Sequence, residues 1–391
     1  MVILFWVCAF IIFYTFIGYG ILLFILVKVK SLYHKNPRII DNPENSLPTC
    51  SIIIAAYNEE LFIRNKILNT LLQTYPTHLL KILIVADGST DQTTQIIKEY
   101  PQVKLFYTPT RNGKIDAINR IMPFIDTEVI VLTDANTFLN EEAVKKICQH
   151  YQDPTIGGVA GEKRISINKN TDVTETGENL YWKYESKLKQ WDSELNTTIG
   201  AAGELFSIRT KLYKSVPKNI ILDDFIISME IVQKGYKIIY EPKAYAIETA
   251  SSNINEELKR KIRIAAGGMQ SIIKLKHLLN PFKYTLLSFQ FFSHRVLRWS
   301  ITPFLLIITL IFNIQLSLQY ENSVYNLLLF FQISFYLLAI LGYFAEKKSL
   351  NLKITYIPYY FCIMNYAVII GIYKFIFGQQ NSVWEKSKRK I

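Results

Sequence analysis

The chain has 391 residues, 50% of them hydrophobic, and a net charge of +12. Many of the cations border long apolar runs, where anionic headgroups account for them, so the basic balance is no argument for nucleic acid. The four cysteines (Cys8, Cys50, Cys148, Cys362) include no C-x-x-C pair and the five histidines (His34, His78, His150, His277, His294) show no ligand spacing, which excludes a disulfide frame and a zinc site; the histidines read as surface or interface residues.

Residues 2–27 carry no charge. At about 1.5 Å per residue the run is long enough to cross a hydrocarbon core of about 30 Å. Lys28 and Lys30 follow a full-length span where a cleaved signal would show a small-residue cleavage site, so residues 1–30 read as a retained anchor. With Lys35 and Arg38 these lysines place the next segment on the cytoplasmic face. Residues 48–275 then have the length and mixed polarity of one soluble domain.

That domain opens with Ser51 to Ala55, a short β-branched run typical of a strand buried on both faces, and Asn58-Glu59-Glu60 leads into an amphipathic helix. "LLKILIVADGSTD" and "QTTQIIKEY" form a second strand and helix. "VKLFYT" is a third strand, "GKIDAINRIMPFI" a third helix and "EVIVLTDANT" a fourth strand. Alternation of this kind predicts an α/β fold with a mostly parallel sheet covered by helices on both faces. Ligands of such sheets bind at the carboxyl ends of the strands.

Three polar clusters stand just past strand ends: Asn58 and Glu59, Asp87 to Ser89, and Asp134 to Asn136. Each alone is equally a helix N-cap. Together they predict one rim where carboxylates converge, which a cation or polar ligand would relieve. A G-x-G-x-x-G fingerprint after the first strand and a P-loop are both missing, which excludes a dehydrogenase and a P-loop ATPase. Further on, "ENLYWKYESKLKQW" (178–191) has the pattern of an amphipathic helix that packs on the core. Asp223 and Asp224 are side by side ahead of another helical pattern, again an acidic helix start unless they do chemistry.

The ordered motifs "SIIIAAYNEE", "IVADGSTD", "RNGKIDAIN", "VLTDANT", "AAGELFSIR" and "LDDFIISMEIVQKGYKIIYEPKA" resemble those of the family 2 inverting glycosyltransferases, which have the Rossmann-like GT-A fold. The apolar flanks resemble the membrane-embedded branch that includes cellulose, hyaluronan and poly-N-acetylglucosamine synthases. The resemblance implies a nucleotide pocket lined by Ala55, Tyr57 and Glu59, with Asp87 on the uracil of a UDP-sugar. Lys114 would lie near the diphosphate. Asp134 matches the first acid of the D-x-D metal motif and Asn136 replaces the second, so Mg2+ or Mn2+ would be held with less charge. Asp224 aligns with the catalytic base, and Asp223 stands where the family has Glu. A neighbouring like charge raises a carboxyl pKa, whereas the helix start lowers it, and these two effects oppose each other here. Gly203 and Glu204 fall in the acceptor segment, where Glu204 is either a sugar-hydroxyl contact or a solvated charge.

Processive relatives carry Q-x-x-R-W; here Arg263 keeps the arginine, which the resemblance implies binds the diphosphate, while Arg260 and Ile264 replace Gln and Trp. Without the Trp a stacking surface for the terminal sugar is lost, and addition of a short glycan to a lipid acceptor gains ground. Residues 256–279 alternate cations and apolar residues, and the segment to 299 reads as interfacial. Residues 300–378 hold about three more apolar helices, and 379–391 form a basic tail. An odd number of spans after the domain conflicts with the charge of that tail. Pro358 and Gly371 therefore leave a broken or re-entrant last helix open.

The expectation is a membrane-bound transferase with its catalytic domain on the cytoplasmic face, moving a sugar from a nucleotide-sugar donor to a saccharide or lipid-linked acceptor. A polyprenyl-phosphate sugar synthase and a non-catalytic sugar-nucleotide sensor are the alternatives. The sequence does not specify an oligomeric state.

Overall fold

The computed structural model describes residues 1–33, 47–166, 173–249, 254–320, 323–348, 350 and 352–379. Lys35, Arg38 and residues 380–391 of the basic tail lie outside the described residues.

The strands are β1 (Cys50–Ala56), β2 (Leu80–Asp87), β3 (Val103–Thr108), β4 (Val129–Asp134), β5 (Thr137–Leu139), β6 (Ile156–Ser166), β7 (Phe206–Arg209) and β8 (Lys237–Thr249). They form one sheet of eight in the order β3-β2-β1-β4-β7-β6-β8-β5. The half from β3 to β4 is parallel, in register Ile52 with Ile82 and Ile52 with Val131. β7 then runs antiparallel between β4 and β6, and β6 and β8 pair parallel. The predicted α/β fold and its parallel half are present, and β7 and β5 add antiparallel pairings that the alternating pattern did not signal.

The helices of the first half are α1 (Val2–Phe13), α2 (Tyr19–Tyr33), α3 (Glu60–Leu71), α4 (Thr93–Lys98), α5 (Lys114–Ile121), α6 (Ala143–Gln149) and α7 (Val173–Leu195). Those of the second half are α8 (Asp223–Gln233), α9 (Ile254–Lys274), α10 (Pro281–Phe291), α11 (Leu297–Trp299), α12 (Thr302–Gln319), α13 (Ser323–Lys347) and α14 (Tyr356–Ile376). Both faces of the sheet are apolar because both are covered. Ile52 and Ile54 of β1 join Ile63, Ile67, Ile97 and Ile147 from α3, α4 and α6 on one side. Ile53 joins Ile118, Phe225, Ile226 and Ile272 from α5, α8 and α9 on the other.

The chain turns from β1 to β2 on one side and later places β4 on the other. This reversal opens a crevice at the carboxyl ends of β1 and β4, where α/β sheets bind ligands.

Among the described residues four helices are long and apolar enough to cross a membrane: Val2–Tyr33, Thr302–Gln319, Ser323–Lys347 and Lys353–Ile376. The first joins α1 and α2 through a π turn at Tyr14–Gly18. It is tied to α7: Tyr184 donates to the Phe16 carbonyl at 2.7 Å, and Lys30 donates to the Glu194 and Leu195 carbonyls, both at 2.8 Å, closing the carboxyl end of α7.

The last helix is unbroken. Pro358 stands in its first turn, where a missing N–H costs nothing, and Gly371 marks a close approach. A Cβ at Gly371 would come within 2.5 Å of Ala265 and 2.8 Å of the Ile262 carbonyl, so α9 rests directly on α14. His294, read as a surface or interface residue, is fully buried: its ring meets Asp192 and Glu185 of α7.

Candidate active site

The loops after β1 and β2 are laced together. Asn58 adopts a left-handed backbone (φ 53°), which Asn tolerates better than most residues, and its amide oxygen accepts the Thr90 N–H at 2.8 Å. Ser89 and Thr93 accept the Asn58 and Glu59 N–H groups at 3.1 and 2.8 Å. Gly88 has φ 71°, and a Cβ there would lie 2.6 Å from the Arg111 nitrogen, so only glycine lets the two loops meet.

Asp87 is buried and heavily engaged. One carboxylate oxygen accepts the Asn112 and Gly113 N–H groups at 2.9 and 2.6 Å, and the other accepts from Arg120 at 2.9 Å. The Asp87 carboxylate therefore clasps the turn before α5 to the end of β2. Arg111 lies 3.8 Å above the Tyr57 ring, a stacked cation at the mouth of the pocket that sequence reasoning missed.

The turn held by Asp87 aims Lys114, first residue of α5, across the crevice to Asp134 at the end of β4, with Nζ 2.5 Å from Oδ1. Burial would lower the Lys114 ammonium, but Asp134, Asp223 and Asp224 outweigh it and hold the pKa above the ordinary lysine value. Asp134 is raised, by burial first and against the pull of Lys114. Gly203 lies flush with this group: a Cβ would come within 2.9 Å of Lys114 Nζ and 3.4 Å of Asp224 Oδ2.

Asp223 and Asp224 open α8, while Leu222 is its N-cap, so neither acid serves as the cap. Asp224 Oδ1 accepts the N–H of Phe225 at 2.9 Å. Its pKa is pushed up to about 7, by burial first and then by the adjacent Asp223 charge, against the pull of Lys114. Desolvation, which the sequence does not display, decides the contest between like charge and helix start.

Glu204 is not a solvated charge. It pairs with Lys163 at 2.5 Å, and Lys163 also bridges to Glu248. Burial would raise the Glu204 carboxyl, but Lys163 overrides it and holds the group well below the usual carboxylate range.

Ala55, Tyr57, Glu59, Asp87, Lys114, Asp134, Asn136, Gly203, Glu204, Asp223, Asp224 and Arg263 all line one cavity of about 310 Å³. Arg263 donates to the Ile221 carbonyl at 3.3 Å, one turn of chain from the acidic pair. Among the described residues no three His, Cys, Asp or Glu side chains converge to hold a metal by themselves. The oxygen donors of Asp134 and Asn136 suit a hard divalent cation that takes its remaining ligands from phosphate and water, so the residues present fit Mg2+ or Mn2+ with a diphosphate.

The opposite wall comes from farther along the chain. Tyr181, Trp182, Glu185 and Lys189 of α7 face the same cavity, at the i, i+3/4, i+7 spacing of one helix face. This corrects the reading of residues 178–191 as core packing alone: one face does pack, and another lines the pocket. The clue was a charged pair sharing a face with two aromatic rings. Position 264 is Ile, but Trp182 and Trp299 bring indoles to the cavity from other elements. Trp299 packs on Gly268, where a Cβ would meet it at 2.7 Å, and lies 5.3 Å from the Phe225 ring. Met364 and Val368 of α14 complete the wall.

Residues 51–216 match the sequence profile of Glycosyl transferase family 2. Poly-beta-1,6-N-acetyl-D-glucosamine synthase of Staphylococcus epidermidis is 24% identical over 247 residues, 60% of this chain and 58% of that protein. The synthase of the same name from Staphylococcus aureus strain COL is 24% identical over 258 residues, 63% of this chain and 60% of that protein. The matches thus span less than two thirds of these relatives' length. The mannosyltransferase PcManGT from Pyrobaculum calidifontis, solved in complex with GDP-Man and Mn2+, superposes with a TM-score of 0.71 at 20% identity over 96% of this chain and 100% of that one. The fold is that of the GT-A glycosyltransferases. Over residues 51–216 the chain thus carries a match to glycosyl transferase family 2, and the relatives it resembles are glycosyltransferases.

Proposed function

We propose that the protein is a membrane-bound inverting glycosyltransferase that moves a sugar from a UDP-sugar to the hydroxyl of a saccharide or lipid-linked acceptor in cell-surface glycan or polysaccharide synthesis. The observation that carries this reading is the convergence of Asp224, Lys114 and Asp134 around Gly203 at the strand ends.

Asp224 accepts the proton of the acceptor hydroxyl as its oxygen bonds to the anomeric carbon, and the bond from that carbon to the diphosphate breaks with its electron pair leaving on UDP. A carboxyl raised to about 7 suits this work, being ionised near neutral pH yet basic enough to take a proton. A single base on the attacking face gives inversion.

On the donor side, Tyr57 with Arg111 frames the base, and Ala55, Glu59 and the Asp87 clasp shape its pocket. Lys114 and Arg263 face the diphosphate. Asp134 and Asn136 would hold a divalent cation, Mg2+ or Mn2+, which when bound neutralises charge on the leaving diphosphate. Donor binding would release Lys114 from Asp134 toward phosphate. The apolar helices support a membrane-bound reading, and Lys28 and Lys30 favour the cytoplasmic face for the domain by the excess of cations on that side.

A polyprenyl-phosphate sugar synthase would use an acceptor phosphate that needs no base, and the raised Asp224 favours a hydroxyl acceptor over it. The test is UDP release by the solubilised full chain with a panel of UDP-sugars, with Mn2+, with Mg2+ and with chelator. One sugar should give cation-dependent release; a protein that neither binds nor turns over any donor in the panel would overturn the reading.

A further inference from the structure

The buried lysines differ in one respect. Lys66 donates to Thr133 Oγ1 at 2.9 Å and the Thr137 carbonyl at 2.6 Å, Lys163 holds Glu204 and Glu248, and Lys261 stands 3.4 Å from Glu257. Lys189 is only 6% exposed, yet it makes no hydrogen bond and no ion pair among the described residues. Its natural partner one turn earlier, Glu185, is taken by His294, Arg295 and Arg298 at 3.3, 2.7 and 2.9 Å. A buried ammonium with no carboxylate in contact is costly, and a ligand that sets an anion against it lowers the cost.

Lys189 faces the cavity, with Trp182 5.8 Å from its ammonium to the ring centroid. It comes from α7 rather than from a strand end and lies within electrostatic reach of Glu204 and of Asp224, the base that meets the acceptor, whereas Lys114 and Arg263 meet the donor diphosphate. Trp299, Met364 and Val368 line the same cavity, the last two halfway along a helix apolar enough to cross a membrane.

We infer that Lys189 receives an oxyanionic group, a phosphate or a carboxylate, that the acceptor carries apart from the hydroxyl that reacts. This rests on the glycosyltransferase reading above and deepens it. An indole for a sugar face, an ammonium for an oxyanion and an apolar wall for a tail together describe an amphipathic acceptor. The oxyanion has two sources, a lipid phosphate lying along α14 or the carboxylate of an acidic sugar stacked on Trp182.

The experiment measures binding of farnesyl phosphate, farnesol, glucuronate and glucose to the full chain by tryptophan fluorescence, in the wild type and in Lys189→Met and Lys189→Arg. Binding of UDP with Mn2+ is followed alongside as a control of the fold. Farnesyl phosphate should bind about tenfold or more tighter than farnesol in the wild type and the Arg variant, and the preference should vanish in the Met variant. The same dependence for glucuronate over glucose instead supports the site and assigns its source to an acidic sugar. If neither anion is preferred to its neutral counterpart, or if Lys189→Met keeps the preference, the inference falls. Absence of UDP binding in the wild type would instead count against the glycosyltransferase reading, because the anion measurements do not depend on the donor.

Discussion

The two walls of the cavity are built differently. On the strand-end wall the charges are answered from within the chain: Asp87 by Arg120 and two backbone N–H groups, Asp134 by Lys114, Glu204 by Lys163. On the helical wall one acid, Glu185, gathers three side chains that can carry positive charge, and Lys189 beside it has an indole near it but no ion pair among the described residues. The first arrangement holds a shape ready for a ligand common to a whole family. The second leaves a local imbalance that a particular ligand can correct. The difference teaches where to look for what is general in such an enzyme and what is specific.

The largest effect separates the chemistry from both walls. Asp224→Asn should lower turnover by about 10²- to 10⁴-fold, the usual contribution of a general base, while UDP affinity changes by only a few-fold. UDP release and UDP titration on the same preparation check it; a parallel loss of both would move Asp224 into donor binding.

Next in size is the helical wall. Glu185→Gln strips the shared counter-charge from the buried Arg295 and His294 and from the partly buried Arg298, and should destabilise the fold by about 3–5 kcal/mol. Thermal unfolding in detergent reads this as a clear fall in Tm. An unchanged Tm would mean that the buried charges hold one another without Glu185.

The strand-end wall offers a finer probe. Gly203→Ala sets a methyl against the free end of Lys114 and the Asp224 carboxylate, and because a lysine end yields easily the cost should be only a few-fold in kcat, with donor affinity unaltered. A loss as deep as that of Asp224→Asn would show that the crevice is rigid.

The two walls also differed in how far the sequence disclosed them. Ala55, Tyr57, Glu59, Asp87, Asp134 and Asn136 follow strands, and the rule that parallel strands present their carboxyl ends to one rim was enough to bring them together. The short, β-branched strands and the helices between them were legible for the same local reason.

What was not legible depends on distant chain. Arg120 reaches Asp87 across 33 positions, and Lys163 reaches Glu204 across 41. Helical periodicity showed that residues 178–191 have faces, but not that one would meet β8 and α2 while another met a cavity. The loss of Trp at position 264 suggested a missing sugar platform. Trp182 and Trp299 occupy the cavity from elements that only the folded chain brings near. Burial of Asp224 belongs with these, since no local pattern reports how much water a turn excludes.

The most direct test of the central claim, that Asp224 is a base tuned by burial and by Asp223, is the pH dependence of kcat/KM. A base works ionised, so the rate should climb about tenfold per pH unit below about 7 and level off above it, and Asp223→Asn, by removing the like charge, should move that limb to lower pH. A limb at the ordinary carboxylate value of about 4, or one that Asp223→Asn leaves in place, would contradict the account.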